Sequence, residues 1–235
     1  MLTLLTATGC RPQAWEQCRR LMARQTYVGP VRWVIVDDGE QPQDMELPQP
    51  GWHFEVIRRQ PYWSAGQNTQ ALNLLAGLEV IEASERVAII EDDDWYAPDW
   101  LATVDRELKR AELVGERLAR YYNVPLRRAQ QLRNARHASL CSTALRGAAL
   151  RTLRAACARR QTFIDIDLWS HHPSRALFGG HRAVGMKGLP GRGGIGMGHS
   201  ADFRGVADPE GLLLREWIGA DADDYLLAES LEHAA

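Results

Sequence analysis

The sequence of 235 residues contains almost no lysine. Of its 28 basic residues only Lys109 and Lys187 are lysines, and all the others are arginines. The formal net charge is −2, so the chain as a whole is neither strongly basic nor strongly acidic. The basic residues are uneven, however, because fourteen of them and only three glutamates fall between Arg106 and Arg160. Such a segment either steers an anionic partner by its field or coats helices with long side chains, and the sequence leaves both open.

Paired cysteines and long apolar runs are also missing. The four cysteines have neither CxxC spacing nor the spacing of a zinc finger, so they are expected to be free thiols in a reducing compartment. No apolar run approaches the ~18 residues that a membrane span needs. The first residues, MLTLLTATGC, lack the basic region of a signal peptide. We therefore expect a cytoplasmic protein without a membrane segment.

The most informative stretch is VAIIEDDDWYAPDW, at residues 87–100. Its first four residues form a continuous apolar run, which is typical of a strand buried on both faces. Four carboxylates follow at once, Glu91 to Asp94, and Pro98 suits the first turn of a helix. Carboxylates crowded at a strand end repel one another unless a cation lies among them, and Mg²⁺ and Mn²⁺ prefer such oxygen ligands. The alternative is a solvated acidic turn.

The pattern of the first hundred residues predicts an α/β fold with an open, largely parallel sheet of nucleotide-binding type, flanked by helices. Crossovers between parallel strands are right-handed, so three polar strand ends should meet at one sheet edge. They are the turn at Thr6–Arg11, the pair Asp37–Asp38 and the acidic stretch Glu91–Asp94. The expected order is β-α-β-β-α-β-α, with strands at 2–7, 33–36, 54–57 and 87–90 and helices at 12–25, 66–82 and 98–110.

The second half of the chain is less periodic. We expect a basic amphipathic helix at 147–160, a helix that begins near Asp208, and an irregular glycine-rich part at 179–199. Further strands are expected at 113–114, 119–124 and 138–145. No repeat or strong domain boundary is evident, so the prediction is a single domain over 1–235.

Three further groups of residues suggest chemistry. Asp37 and Asp38 end the second strand, where a carboxylate can bind a base or ribose, or merely cap a turn. The glycine-rich part carries Lys187, Arg192 and His199, and it does not match a Walker motif. Its two cations and its backbone N–H groups are suited to binding a diphosphate. Its histidine is suited to binding a metal.

Asp165 and Asp167 are candidates for a general base. They lie two residues apart, so they would share a face in a strand, whereas they would splay at the start of a helix. The sequence shows no partner for either carboxylate, and a purely structural role is equally open.

Together these motifs resemble a family 2 glycosyltransferase of the GT-A fold. The resemblance rests on VDDG at 36–39, on EDDDWY at 91–96, and on a first strand that ends in TATGCRP. The tail, with KGLPGRGGIGMGH and WIGAD, is similar to a bacteriophage branch of these enzymes, some of which are thought to glycosylate hydroxymethylated pyrimidines in DNA. The resemblance implies a nucleotide-sugar-binding half (1–110) and an acceptor-binding half (111–235).

The same resemblance implies an inverting, metal-dependent transfer from a nucleotide diphosphate sugar, most simply a UDP-sugar, to a hydroxyl. The basic segment 106–160 would then bind an anionic acceptor such as DNA, in the host cytoplasm if the protein is phage-encoded. The implied site residues are Thr6, Thr8, Arg11, Asp37, Asp38 and Asp92 around the nucleotide, Lys187 and Arg192 on the diphosphate, Asp93, Asp94 and His199 on Mn²⁺ or Mg²⁺, and Asp167 or Asp165 as the base. Which two of Asp92, Asp93 and Asp94 hold the metal stays open, as does the oligomeric state.

Two other classes of protein would explain part of the pattern. A nucleotidyltransferase also uses an acidic metal site with a basic glycine-rich loop, although that loop normally follows the first strand. A non-catalytic nucleic-acid-binding protein would account for the arginines but not for the acidic strand ends.

Overall fold

The computed structural model describes residues 1–43, 45, 49–60, 63–64, 67–160, 162–193, 198–199 and 203–227. None of the helices in these ranges has the length and apolar character that crossing a bilayer requires. The strands are β1 (Leu2–Thr8), β2 (Val31–Asp37), β3 (Trp52–Arg58), β4 (Arg86–Ile89), β5 (Trp95–Tyr96), β6 (Leu113–Glu116), β7 (Arg120–Asn123), β8 (Arg128–Gln131), β9 (Thr143–Arg146), β10 (Arg175–Phe178), β11 (Ala183–Lys187) and β12 (Val206–Ala207). The helices are α1 (Pro12–Ala23), α2 (Gln70–Glu79), α3 (Trp100–Glu107), α4 (Ala148–Arg159), α5 (Ile164–His171), α6 (Leu212–Ile218) and α7 (Ala222–Leu227).

The central sheet has seven strands in the order β10-β6-β9-β4-β1-β2-β3. The neighbours β4, β1, β2 and β3 are all parallel, whereas β9 runs antiparallel to both β4 and β6. Because β1 lies between β2 and β4, the residues that follow these three strands come together at one edge. The predicted sheet and the predicted meeting of its polar strand ends are therefore confirmed.

Apolar side chains alternate between the two faces of the central sheet, as the period of a strand requires. Leu4 and Trp33 belong to the core that α1, α3 and the second sheet cover, whereas Leu5 and Val34 pack against α2, α4 and α5. The second sheet has five strands in the order β12-β8-β7-β11-β5. The strand β11 is parallel to β7 and antiparallel to β5, so it ties the C-terminal part of the chain to the strand that follows the acidic stretch.

Two expectations for the second half need correction. The glycine-rich part is not irregular throughout, because Ala183–Lys187 is the buried strand β11. A Cβ atom on Gly185 would lie 2.4 Å from the Tyr121 ring, so this glycine serves close packing and not flexibility. The expected strand at 138–145 is a 3-10 turn at Leu140–Ser142 followed by β9. Residues 194–197, in the middle of the glycine-rich part, lie outside the described ranges.

Candidate active site

A cavity of about 250 Å³ lies at the carboxyl edge of β1 and β4. One wall, here called the nucleotide wall after the role that the sequence predicts for it, consists of the turn after β1, the start of α2 and the acidic stretch after β4. The other wall, here called the acceptor wall on the same basis, consists of the segments before and within the 3-10 turn and the start of α5. The nucleotide wall contains Thr8, Arg11, Thr69, Asn73, Glu91, Asp92 and Asp93, and the acceptor wall contains Leu132, His137, Ser139, Leu140, Phe163, Asp165 and Ile166.

Arg11 holds two adjacent carboxylates of the acidic stretch. Its two terminal nitrogens lie 2.8 Å from Asp92 Oδ1 and 2.6 Å from Asp93 Oδ2. The Thr8 hydroxyl donates a hydrogen bond of 2.8 Å to the other oxygen of Asp92. The turn after β1 is thereby fastened to the end of β4 by charge-assisted bonds, which are stronger than neutral ones. These contacts bring together four residues that the sequence placed at the same sheet edge.

The third aspartate of the stretch points the other way. Asp94 Oδ1 accepts the backbone N–H of Met186 at 2.7 Å and lies 3.4 Å from the ammonium of Lys187. Both side chains of this ion pair are almost fully buried. Burial opposes the charge on Lys187, but Asp94 and Asp93 outweigh it and raise the pKa of the amine, so the amine stays protonated. The structure therefore assigns Asp94 to the anchoring of β11, and Lys187, which lines the cavity, is its counter-ion.

Asp92 and Asp93 differ in the direction in which their pKa values are shifted. Burial raises the pKa of Asp92 to about 6, although Arg11 opposes the shift. Burial alone would also raise the pKa of Asp93, but Arg11 and Lys187 outweigh it and hold that pKa well below its usual range. Asp93 is therefore ionised at neutral pH.

Asp93 and His199 suit a divalent cation. Both line the cavity, and burial, followed by the charge of Lys187, lowers the pKa of the His199 imidazole to about 4. A neutral imidazole and an ionised carboxylate are the forms that bind metals. Glu91, Asp94 and Cys141 also bring ligand atoms within 4.8 Å of one another, but Asp94 does not line the cavity and burial keeps Cys141 a thiol by raising its pKa. For Mg²⁺ or Mn²⁺ the cavity-side pair is the better donor set.

The acidic end of β2 is partly structural. Asp37 accepts the backbone N–H groups of Gly39 and Gln43 at 2.9 and 3.0 Å, and it forms an ion pair with Arg58. It therefore shapes the turn after the strand. Asp38, in contrast, accepts a bond of 2.6 Å from Arg192, which reaches it from the glycine-rich part. The structure thus pairs Asp38 with Arg192, two of the residues expected around the donor, although only Arg192 lines the cavity.

Thr6 belongs to the core and not to the cavity wall. Its side chain is fully buried, and its hydroxyl accepts a bond of 2.9 Å from the Trp33 indole. The sequence grouped it with Thr8 because both lie near the end of β1. The two residues are two positions apart and so share a face of the strand, but only Thr8 extends beyond the core to the cavity.

The two candidate bases separate because they lie at the start of helix α5. Asp165 lines the cavity, and burial raises its pKa. Asp167 lies on another side of the helix, where it accepts bonds of 3.1 and 2.7 Å from Arg159. The leading candidate from the sequence therefore stabilises the junction of α4 and α5, and the second candidate is the one that reaches the cavity.

Several residues of the cavity gave little signal in the sequence. Asn73 lies within the apolar pattern of α2, yet it is 2% exposed, lines the cavity, and has no partner for its side-chain oxygen in the described part of the chain. Trp63 stacks its ring on the Arg192 guanidinium at 5.3 Å. Tyr121 donates a bond of 2.6 Å to Ser139 and places its ring 5.6 Å from the Lys187 amine. Their positions in the cavity depend on contacts between distant segments, which a local sequence pattern does not predict.

No protein-family model and no curated protein matches the sequence. Solved structures do resemble it, among them S. aureus TarS 1-349 in complex with UDP-GlcNAc, at a TM-score of 0.54 and 12% identity over 83% of this chain and 60% of that one. The same protein in complex with UDP gives 0.53 and 11% over 79% of this chain and 60% of that one. A longer TarS structure gives 0.52 and 10% over 76% of this chain and 35% of that one.

The chain thus spans 60% of TarS 1-349 and about a third of the longer structure. At these identities the likeness is one of fold. It confirms the fold class expected from the sequence, an α/β fold of the GT-A type whose largely parallel central sheet is flanked by helices.

Proposed function

We propose that this protein is a metal-dependent glycosyltransferase that moves a sugar from a nucleotide diphosphate sugar, most simply a UDP-sugar, to an acceptor hydroxyl with inversion. The observation that carries the proposal is the cavity itself, which collects Asp93, His199, Arg11, Lys187 and Arg192 at the carboxyl edge of the sheet. The fold is shared with a protein that binds UDP-GlcNAc and UDP, which supports the choice of donor.

On the nucleotide wall, this chain's own residues bind and orient the donor. Arg11 and Thr8 fix Asp92 and Asp93 in place, and Lys187 and Arg192 provide positive charge for the diphosphate. Asp93 and His199 would hold Mg²⁺ or Mn²⁺, which supplies Lewis-acid stabilisation of the charge that develops on the leaving diphosphate. Such stabilisation at a water-poor site is the largest electrostatic contribution available to this reaction.

On the acceptor wall, Asp165 is the proposed general base. As the acceptor oxygen attacks the anomeric carbon, the bond from that carbon to the diphosphate breaks and the hydroxyl proton passes to an oxygen of Asp165. The raised pKa of this carboxyl makes it a stronger base than an exposed aspartate. Inversion follows if the acceptor oxygen enters on the face of the anomeric carbon opposite the leaving diphosphate.

The experiment that tests the proposal measures products from a panel of UDP-sugars with Mn²⁺. We expect release of UDP, slow with water and faster with an acceptor, and its loss on chelation of the metal. Release of pyrophosphate in a parallel assay with UTP and a sugar 1-phosphate would instead identify a nucleotidyltransferase. If neither product forms with any donor and no donor shifts the melting temperature, the proposal fails.

We further propose that the acceptor is a hydroxymethylated pyrimidine in DNA. The exposed residues Arg133 and Arg136 lie in the segment that contributes Leu132 and His137 to the acceptor wall. Phe163, on the same wall, is 50% exposed, so its ring is available to stack on a base. Cations beside an exposed aromatic ring form the usual surface for a single strand or an extruded base.

Not every arginine of the segment 106–160 serves this surface. Arg106 and Arg110 pair with Glu107 at the far end of α3, and Arg159 pairs with Asp167.

Replacing Arg133 and Arg136 together by alanine should weaken DNA binding and reduce its salt dependence by about two charges. Replacing Arg106 and Arg110 removes the same charge elsewhere and is the matched control. Filter binding at two salt concentrations decides the matter, and equal effects of both double variants would contradict the proposed surface.

A further inference from the structure

Arg192 covers the carboxylate of Asp38. Its Nη1 lies 2.6 Å from Asp38 Oδ1 and 3.1 Å from Thr69 Oγ1, and its Nη2 lies 3.3 Å from the backbone oxygen of Asp38. The Trp63 ring stacks against the same guanidinium. Asp38 is fully buried, whereas Arg192 lines the cavity with 11% of its side chain exposed. A ligand in the cavity therefore meets the guanidinium before it can reach the carboxylate.

The ion pair leaves hydrogen-bonding capacity unused on both partners. Within the described part of the chain, Asp38 Oδ2 and Arg192 Nε are buried and have no hydrogen-bond partner. A buried charged atom without a partner carries a full desolvation cost, so this contact stabilises the fold less than a complete bidentate pair would. A ligand that offers a hydrogen-bond donor to Asp38 and an acceptor to Arg192 can therefore replace this ion pair.

The backbone around Arg192 packs closely against the turn after β1. Gly191 has a φ of +101°, and a Cβ atom there would lie 2.7 Å from the carbonyl oxygen of Cys10. The Arg192 N–H meets the same carbonyl at a long distance of 3.4 Å. The segment thus approaches the turn after β1 through a glycine whose conformation side-chain residues rarely adopt. Arg192 is held in the cavity mainly by its side chain.

We propose that Arg192 is a specificity-determining residue that makes the site select a nucleoside diphosphate over a nucleoside. The inference rests on the proposed donor. A nucleoside that uses Asp38 as a hydrogen-bond acceptor must first displace the guanidinium. Because it carries no anionic group, it provides no new partner for Arg192. A nucleoside diphosphate offers Asp38 a donor group and offers Arg192 an anion, so both halves of the ion pair regain a partner.

Calorimetric titration with uridine and with UDP tests this, using wild type, Arg192→Ala and the charge-matched control Arg175→Ala, which removes an exposed arginine from the start of β10. Breaking a charge-assisted contact is worth about a tenfold or larger change in affinity. We expect Arg192→Ala to bind uridine about tenfold more tightly and UDP more weakly, so that the preference for UDP shrinks by at least about a hundredfold. Arg175→Ala should behave as wild type.

If Arg192→Ala binds uridine no more tightly than wild type does, the selectivity role is wrong. If UDP binds to wild type while uridine affinity is unchanged by the substitution, the donor proposal survives and only this inference fails. If neither ligand binds to wild type or to the variant, both fail. Arg192→Lys keeps the charge with a smaller hydrogen-bonding head, so it provides a second variant should the alanine form not fold; it should shift both affinities in the same directions by less.

Discussion

The two walls of the cavity are built from different kinds of structure. The nucleotide wall consists of strand ends and a helix start, and its charged groups bind one another through Arg11, Asp92 and Asp93. The acceptor wall consists of a loop, a 3-10 turn and the first turn of α5, and it exposes Phe163 and Ile166. Under the proposed function, donor chemistry would be fixed by a preorganised charge network, whereas acceptor choice would depend on a surface with fewer internal bonds.

The sharpest test of the nucleotide wall compares two neighbours in its acidic stretch. Asp93→Asn should reduce UDP release by about 10³-fold, because it removes the ionised carboxylate beside the diphosphate. It should leave the melting temperature nearly unchanged, since Arg11 retains Asp92 as a partner. Asp94→Asn should do the reverse, costing roughly 3–5 kcal/mol of unfolding free energy because Lys187 loses its buried counter-ion. Urea titration and UDP release, measured on both variants, provide the comparison.

The outcome that would contradict this division is activity lost in the Asp94 variant at unchanged stability. In that case Asp94 would reach the reacting groups, and the inward orientation of its side chain would not hold during turnover. Retention of more than a tenth of the activity in Asp93→Asn would remove the basis for placing the metal at the cavity-side pair.

The acceptor wall is tested by the corresponding pair on α5. Asp165→Asn should lower sugar transfer by about 10²- to 10⁴-fold, the usual contribution of a general base, while UDP binds as in wild type. Asp167→Asn should leave transfer unchanged and cost at most about 1 kcal/mol, because its partner Arg159 is half exposed. Transfer rates with saturating donor separate the two variants. Equal losses of transfer in both would show that neither carboxylate is the base and that the start of α5 acts only as a scaffold.

The sequence predicted the nucleotide wall far better than the acceptor wall, and the reason is physical. A buried run such as Val87–Ile90 followed by carboxylates is a local pattern, and the right-handed crossover rule then places the strand ends together without any knowledge of packing. The orientation of each aspartate is not local. Asp94 points inward because β11 supplies the Met186 N–H from a segment more than ninety residues away.

The acceptor wall depends on such distant contacts throughout. Whether Asp165 or Asp167 faces the cavity was undecidable until the segment was known to be a helix. Gly185 looked like part of a flexible loop, because the Tyr121 ring that occupies the space of its missing side chain lies on another strand. In the same way Thr6 and Thr8 are indistinguishable in the sequence, and only the Trp33 indole from β2 shows that Thr6 belongs to the core.

The smallest expected effect concerns Phe163, and it isolates the role of an aromatic ring on the acceptor wall. Phe163 has a left-handed backbone with a φ of +57°, which costs a side-chain residue about 1 kcal/mol and costs glycine almost nothing. Phe163→Gly should therefore leave stability unchanged or raise it slightly. If the ring stacks on the acceptor base, the same change should raise the KM for DNA containing 5-hydroxymethylcytosine by about tenfold, without altering the slow release of UDP to water.

Leu118→Gly provides the matched control for that experiment. Leu118 also has a left-handed backbone, with a φ of +59°, but it lies in the turn between β6 and β7. Its replacement relieves the same backbone strain without removing a side chain from the acceptor wall. A rise in KM for Phe163→Gly alone assigns the effect to the ring, whereas equal changes in both variants assign it to backbone conformation. An unchanged KM in Phe163→Gly would mean that the acceptor does not stack there, and the acceptor wall would then recognise its substrate through His137, Ser139 and the neighbouring arginines alone.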